Sequence, residues 1–199
     1  MKKEVTHCLL CTQQLQMQAS WCTLLTKQFP PSICLKCENR FEEINSQTEH
    51  HALYTYNEAM KTYLHQYKFL QDVALAKVFR QQIFNLFKNE RAIIVPIPMH
   101  PKKQKERTFA HMDELLKAAN IPYKQCLAKT TIESQSTKTR EERLQTAPLF
   151  KLSEGTKITN SHYILFDDIC TTGTTLQHAK AMLEEAGVKT VRTVTLISG

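Results

Sequence analysis

The feature that most constrains this chain is a run in which an apolar strand, two acids and a threonine-rich turn follow one another. Its thirteen residues are Tyr163-Ile-Leu-Phe-Asp167-Asp168-Ile-Cys-Thr171-Thr172-Gly173-Thr174-Thr175. The turn leads into a predicted helix, so backbone N–H groups, hydroxyls and the positive end of a helix dipole converge there. We therefore interpret Thr171–Thr175 as a phosphate-binding loop, in which Gly173 permits close approach of the backbone.

The two acids of this run suggest a second contact to the same ligand. Asp167 and Asp168 come where the apolar strand is predicted to end, and carboxylates in that position can accept hydrogen bonds from ribose hydroxyls. A ribose bearing a phosphate is therefore the predicted ligand. The alternative is an acidic N-cap followed by a threonine-rich helix start, with no ligand at all.

Strand and helix patterns alternate through the C-terminal half of the chain. Continuous apolar runs predict buried strands at residues 92–95, 162–166 and 191–197, and apolar residues at helical spacing predict helices at 107–120 and 174–186. A short strand is also expected near residues 123–127. This alternation predicts an α/β fold with an open, mainly parallel sheet flanked by helices. Ligands of such sheets bind outside the carboxyl ends of the strands, where the acids lie.

Two Cys-x-x-Cys pairs dominate the N-terminal segment. Cys8 and Cys11 form the first pair, Cys34 and Cys37 the second, and 22 residues separate them. Two such turns can close a tetrahedron of thiolates around zinc, and a module this small needs a metal in order to fold. Four cysteine ligands indicate a closed, structural site. The alternatives are chance pairs in a reduced coil, a redox motif, or a site in which Cys22 replaces one ligand.

These patterns divide the chain into three predicted segments. We expect a zinc-ribbon-like module at residues 1–45, a helical linker packed on the core at 46–90, and the α/β domain at 91–199. The linker contains a short strand pattern near residues 54–56 and then two helices that meet near residues 69–71. The aromatic residues of these helices fall on apolar faces, which favours core packing over a base-stacking surface.

Composition narrows the class of ligand. The chain has 26 Lys and Arg residues against 19 Asp and Glu, and its net charge of +7 suits phosphate-bearing ligands, whether small or polymeric. No stretch approaches the ~18 consecutive apolar residues of a membrane span. The first residues resemble no secretory signal, so we expect a cytoplasmic protein.

A basic run follows the strand that ends in Val95-Pro96-Ile97-Pro98. Its candidate diphosphate-binding residues are Lys102, Lys103, Lys105 and Arg107. A cationic loop at a neighbouring strand end can hold the diphosphate of the ligand whose ribose meets the two acids. The alternative is a solvated basic face without a ligand.

The acidic pair and the Thr/Gly-rich loop resemble the signature of type I phosphoribosyltransferases. The resemblance implies that Asp167 and Asp168 bind the ribose 2′ and 3′ hydroxyls of phosphoribosyl diphosphate. It implies that Thr171, Thr172, Gly173, Thr174 and Thr175 bind the 5′-phosphate. In these enzymes Mg²⁺ bridges diphosphate and ribose oxygens, so magnesium is expected with the ligand.

The chain as a whole resembles the ComF family of competence proteins, which includes ComFC-like and GntX-like members. These proteins join a four-cysteine ribbon to a phosphoribosyltransferase domain and carry a long loop, here Thr131-Ile-Glu-Ser-Gln135-Ser-Thr-Lys-Thr-Arg140-Glu-Glu-Arg143. Arg140 and Arg143 thereby join Lys102, Lys103, Lys105 and Arg107 as candidates for contacts to diphosphate or to DNA phosphates. The chain departs from the family pattern Arg-Gly-Phe-Asn-Gln at Arg107–His111, and the usual Asn is missing near Thr146.

The resemblance implies a competence protein that handles incoming single-stranded DNA beside a ComFA-like helicase. A second hypothesis is an active phosphoribosyltransferase of nucleotide metabolism, in which the loop at residues 129–147 closes over the site. A third is a module that uses phosphoribosyl diphosphate as a regulatory ligand. The departures from the family pattern weaken catalysis more than they weaken ligand binding.

Overall fold

The computed structural model of the protein describes residues 5–16, 28–44, 50–130, 148–159 and 161–199. Several residues that the sequence singles out lie outside these ranges. They are Cys22, Arg140, Arg143 and Thr146, together with the rest of the long loop from Thr131 to Arg143.

The first half of the chain holds the cysteine segment, one strand and a group of helices. Its elements are α1 (Leu35–Glu38), β1 (His50–Thr55), α2 (Glu58–Lys68), a 3₁₀ helix (Val73–Lys77) and α3 (Arg80–Phe87). The second half holds the alternating strands and helices. Its elements are β2 (Ile93–Pro96), α4 (Pro101–Arg107), α5 (His111–Ala118), β3 (Leu127–Lys129), β4 (Phe150–Leu152), β5 (His162–Cys170), α6 (Thr174–Glu185) and β6 (Thr190–Ser198).

The main sheet of the described chain has the strand order β1-β6-β5-β2, and every neighbouring pair in it is parallel. A separate antiparallel pair, β3 with β4, lies beside it. The expected α/β fold with a parallel sheet is therefore confirmed. The segment between residues 46 and 90 supplies an edge strand of this sheet as well as helices.

Two apolar cores lie on the two faces of the sheet. Side chains alternate between them along each strand, so that Ile164 and Phe166 face one core while Tyr163 and Leu165 face the other. The first core packs under α2, α3 and α5, and the second under α6 and the β3–β4 pair. Burial on both faces explains why the strands are continuous apolar runs.

The cysteine module shares the first core instead of standing apart from it. The ring of Phe41 lies 4.9 Å from that of Phe79 in an edge-on arrangement and also contacts the rings of Tyr54 and Tyr63. Cys8 and Cys37 belong to the same buried cluster. Loosening the module would therefore expose aromatic surface of the sheet domain.

The structure corrects three local predictions. Residues 101–107, expected as a basic loop, form α4, because Pro101 starts the helix and His100 Nδ1 accepts a hydrogen bond from the N–H of Lys102. The helix expected over residues 107–120 begins only at His111, because Thr108 adopts a left-handed conformation, with φ of 64°, that interrupts it. The short strand expected at residues 123–127 lies further on, at Leu127–Lys129.

Strand β5 also runs further than its apolar pattern predicts. Pro96, the last residue of β2, pairs with Phe166, whereas β6 continues to pair with β5 as far as Cys170. The two acids therefore lie within the strand, beyond the end of β2. Among the described residues, none of the helices has the length and apolar character needed to cross a membrane.

Candidate functional site

Asp168 is the buried centre of a charged cluster. Its Oδ2 forms an ion pair with Lys68 Nζ and lies 3.1 Å from His111 Nε2. Lys68 is the last residue of α2 and His111 is the first residue of α5. Three segments far apart in sequence thus meet at one carboxylate, and all three side chains are largely buried.

Aromatic residues of α2 hold this cluster in place. The hydroxyl of Tyr67 donates a 2.6 Å hydrogen bond to the backbone carbonyl of His111, which fixes the start of α5. Tyr67 also stacks on Tyr63, with ring centroids 5.7 Å apart. Within the described chain, the Nδ1 atom of His111 is buried without a hydrogen-bond partner.

The two acids have opposite pKa shifts. Burial alone would raise the pKa of Asp168, but the charge of Lys68 and the hydrogen bond from His111 hold it well below its ordinary value. Burial and the charge of Asp168 raise the pKa of Asp167 to about 8, although the backbone N–H of Asp168 donates to Asp167 Oδ1 at 2.9 Å. Asp168 is therefore a fixed carboxylate, and Asp167 is the acid that can exchange a proton near neutral pH.

The threonine loop lies directly after these acids and forms a shallow cradle at the start of α6. Gly173 is the N-cap residue with φ of 73°, and the hydroxyls of Thr172 and Thr174 lie 3.0 Å apart. A Cβ on Gly173 would meet nothing closer than Cys170 Sγ at 3.9 Å, so the glycine is required for its backbone conformation. The residues from Thr171 to Thr175 line a cleft of about 30 Å³ together with Asp167.

The basic residues proposed from sequence lie on α4. Lys102, Lys103 and Lys105 are exposed, and the guanidinium carbon of Arg107 lies 5.3 Å from the ring centroid of Phe69. A further cation, Lys129 on β3, lies close enough to the acids for its charge to act on Asp167. Burial lowers the pKa of Lys129, the charge of Asp167 opposes this shift, and the charge of Lys103 adds to it. The charges of Lys103, Asp167 and Asp168 therefore all act on the ammonium group of Lys129.

A larger cavity of about 220 Å³ adjoins the acid cluster. His111 lies in its wall, so this cavity and Asp168 share one side chain. Asp113, Gln125 and Lys129 provide polar groups, and the amide of Gln125 donates to Asp113 Oδ2. The residues that close the cavity are Pro96, Ile97, Pro98, Met99, Pro101, Gln104, Ala110, Met112, Leu127, Ala128 and Ser153.

The four N-terminal cysteines converge in the folded chain. The sulfur atoms of Cys8, Cys11, Cys34 and Cys37 all lie within 4.8 Å of one another, and those of Cys11 and Cys34 are 3.7 Å apart. Four thiolates at about 2.3 Å from a tetrahedral zinc ion would be separated by roughly 3.8 Å. The cluster therefore has the ligand type and spacing to hold a metal ion.

Local backbone geometry prepares the cysteine cluster for a cation. Burial raises the pKa of Cys8, but backbone N–H groups of Cys34, Cys11 and Leu10 outweigh it and lower that pKa to about 6. Burial and the neighbouring sulfurs raise the pKa of Cys37 above its ordinary value. A bound cation would stabilise all four thiolates together.

The acid pair fits magnesium in a different way. Mg²⁺ favours oxygen ligands, and it usually binds one or two carboxylates together with phosphates of a substrate. Asp168 already has Lys68 as its cation, so Asp167, which would release its proton on binding, is the acid of the pair better placed for a magnesium ion. The residues thus fit a Mg²⁺ that arrives with a diphosphate ligand.

Sequence reasoning did not include three members of this site. His111 stands where the resembling family has Gln, and the sequence alone shows it only as a departure from the family pattern, without indicating that it belongs to the site. Lys68 and Lys129 carried none, since a lysine at a helix end or in a short strand usually lies in solvent. Only the meeting of α2, α5 and β3 at the carboxyl end of β5 makes them part of the site.

The comparisons with known proteins agree with this architecture. The family model described as a phosphoribosyl transferase domain matches residues 63–199. With its parallel sheet and flanking helices, the chain has the type I phosphoribosyltransferase fold. Hypoxanthine phosphoribosyltransferase from Staphylococcus aureus is a more distant structural match, with a TM-score of 0.37 and 19% identity over 65% of this chain and 62% of that one.

Two curated relatives define the family more closely. Competence protein ComFC of Streptococcus pneumoniae is 32% identical over 96% of this chain and 99% of its own length. Competence protein ComFC of Bacillus subtilis is 25% identical over 96% of this chain and 94% of its own length. The chain belongs to the ComF family of competence proteins, within the phosphoribosyltransferase superfamily.

Proposed function

We propose that this protein handles incoming single-stranded DNA in the cytoplasm during natural transformation and retains a site for phosphoribosyl diphosphate. The observation that carries the proposal is the similarity to ComFC of Streptococcus pneumoniae, which extends over 96% of the chain. It covers the cysteine module as well as the transferase domain. We infer that both parts serve one function, beside a helicase of the ComFA type.

The geometry supports a specific assignment of the ligand. The carboxylates of Asp167 and Asp168 would accept hydrogen bonds from the ribose hydroxyls, and the N–H groups of the cradle at Thr171–Thr175 would bind the 5′-phosphate. Lys129 is a candidate cation for the diphosphate because its charge acts on Asp167, and Lys103 is a second candidate because its charge acts on Lys129. A magnesium ion bound with the diphosphate would neutralise part of its charge.

Zinc is the metal that we assign to Cys8, Cys11, Cys34 and Cys37. The site has four sulfur ligands and no weaker donor among them, which favours a structural zinc ion over a catalytic one. Because the module shares aromatic core with the sheet domain, the metal would also stabilise the packing of α2 against it. The metal would hold the fold and take no part in chemistry at the acid pair.

The proposal can be tested in the source organism by replacing the chromosomal gene with the Asp167→Ala/Asp168→Ala double variant. We expect transformation frequency to fall at least tenfold, because two charge-assisted contacts to the ligand are lost. Glu185→Ala, which changes an exposed acid of α6, is the matched control and should transform like wild type. If a strain that lacks the gene transforms normally, the competence role is refuted. If the strain with the double variant transforms normally, the ligand site is not needed for transformation.

A second candidate function is an active phosphoribosyltransferase. The cavity of about 220 Å³ beside His111 favours it, because an acceptor base bound there would lie next to the ribose site. Asp113 and Gln125 could then present polar groups to the base. The test is a screen of nucleobases for diphosphate release in the presence of magnesium. Release that depends on a base and disappears in Asp167→Ala/Asp168→Ala would support catalysis, and no release with any base would reject it.

A further inference from the structure

An apolar corner of the molecule is exposed beside the basic helix α4. The described residues include five exposed large apolar side chains, and three of them are Phe69 at 63%, Leu70 at 65% and Val73 at 39% of their surface. They follow α2 and precede the 3₁₀ helix. We call residues 69–73 the Phe69 corner. By contrast, the tyrosines of α2, Tyr63 and Tyr67, are buried in the core.

Hydrogen bonds fix this corner to the end of α4. The side-chain amide of Gln71 donates to the carbonyl of Glu106 at 3.1 Å, and the hydroxyl of Thr108 donates to Gln71 Oε1 at 3.2 Å. Gln71 and Thr108 both have positive φ angles, of 58° and 64°. Gln71 therefore joins the corner to the end of α4 by two hydrogen bonds, one with Glu106 and one with Thr108, and these hold the corner in a defined position.

Two side chains lie against the exposed ring. The guanidinium of Arg107 lies over Phe69, and the ring of His65 lies 5.7 Å from it. Helix α4 adds further exposed charges. Its cations are Lys102, Lys103, Lys105 and Arg107, against the single acid Glu106. An aromatic ring bordered by one arginine and a row of lysines combines a stacking surface with sites for phosphates.

We propose that the Phe69 corner and α4 form the surface that binds single-stranded DNA. A base stacks on Phe69, and Arg107 and the lysines of α4 contact successive phosphates. Proteins that bind single strands combine exposed aromatic rings with a basic surface, because unpaired bases can stack on the rings while the phosphates contact the cations. The inference rests on the proposed function and deepens it by placing the DNA on the transferase domain instead of the cysteine module.

The same surface fits a duplex or a protein partner less well. The bases of a duplex are stacked on one another, so Phe69 would find no free face. A purely apolar protein contact would gain nothing from the row of lysines. Pro101 and Gln104 of α4 line the cavity of about 220 Å³ whose wall also contains His111 of the acid cluster. Bound DNA would therefore lie next to the phosphoribosyl site.

The test uses the full chain with its metal and a fluorescently labelled thymidine oligonucleotide of about 20 nucleotides, with anisotropy as the readout. We expect Phe69→Leu to weaken binding about tenfold, whereas Phe69→Trp keeps wild-type affinity, because only an aromatic ring can stack. Lys105→Gln should reduce the salt slope by about 0.7, the value for one phosphate of a single strand. Lys189→Gln, an exposed lysine at the amino end of β6, is the control and should leave the slope unchanged.

Each other outcome refutes a defined part of the proposal. If wild type does not bind the oligonucleotide, the DNA-handling function itself fails. If wild type binds and Phe69→Leu binds equally well, the function stands but the Phe69 corner is not its surface. Equal losses in Phe69→Leu and Phe69→Trp, or equal affinity of wild type for a duplex, would reject base stacking. Unchanged thermal unfolding of each variant excludes misfolding as the cause of a loss.

Discussion

The cysteine cluster and the acid pair both bring like-charged groups together, but they obtain a balancing cation in different ways. At the acid pair the cation belongs to the chain, because Lys68 lies against Asp168 inside the protein. At the cysteine cluster, four sulfur atoms within 4.8 Å of one another can share one metal ion. The acid pair therefore has a cation within the fold itself, whereas the cysteine cluster has the ligand set for a metal ion that would have to come from solution.

This difference has a thermodynamic consequence. A structural zinc ion contributes its binding free energy to folding, so that losing it can unfold a small module. An internal ion pair contributes by compensating a buried charge, and breaking it from one side is costly while replacing both partners is much less so.

The largest effect is expected for the cysteine ligands. Cys8→Ser or Cys37→Ser should reduce bound zinc from about one equivalent to none and lower the melting temperature by about 10 °C, because the module shares aromatic core with the sheet. Metal analysis and thermal unfolding measure the two quantities. Cys126→Ala, a buried cysteine outside the cluster, should keep its zinc. Wild-type protein without metal would contradict the assignment.

The second effect concerns Lys68. Lys68→Met should lower the free energy of unfolding by about 3–5 kcal/mol, since it leaves the buried charge of Asp168 without its partner. The double variant Lys68→Met/Asp168→Asn should recover most of this loss. Lys61→Met, on the same helix, breaks only the exposed pair with Glu58 and should cost less than about 1 kcal/mol. Equal effects of the two single variants in urea unfolding would show that the internal cation has no special role.

The smallest effect is expected for the protonation of Asp167, because this side chain is only half-buried and solvent screens its charge. Its pKa is about 8 in the folded protein and roughly 4 in an unfolded chain, so the folded state binds more protons between these values. The free energy of unfolding should therefore fall as the pH rises from about 5 to about 8. Asp168 is ionised in both the folded and the unfolded protein over that range, so it adds no slope there. Asp167→Asn should flatten the profile, and an unchanged profile would refute the shifted pKa.

The same comparison explains how much the sequence could predict. All four cysteines lie in two short Cys-x-x-Cys pairs, so their local spacing predicts that they share one site, and their sulfur atoms do cluster in the structure. The threonine loop and the two acids form one continuous run and were also recognised. The parallel sheet followed from apolar runs at residues 92–95, 162–166 and 191–197, each of which lies in or overlaps a strand.

Other features depend on contacts that no local pattern encodes. Lys68 and His111 join Asp168 only because α2 and α5 converge at the end of β5. The interruption at Thr108 lies within an apparently continuous helical pattern, and a left-handed threonine has no sequence signal as clear as that of glycine. Leu70 follows the apolar spacing of Tyr63 and Tyr67, yet it is exposed because the helix ends at Lys68.

We propose that the acid pair and the threonine cradle together bind phosphoribosyl diphosphate. Isothermal titration of the metal-loaded chain with this ligand and Mg²⁺ tests it most directly. We expect about one equivalent to bind, and Asp167→Ala/Asp168→Ala to bind about a hundredfold more weakly, because two charge-assisted contacts are removed. A wild-type chain that does not bind the ligand, or a double variant that binds it equally well, would contradict the account.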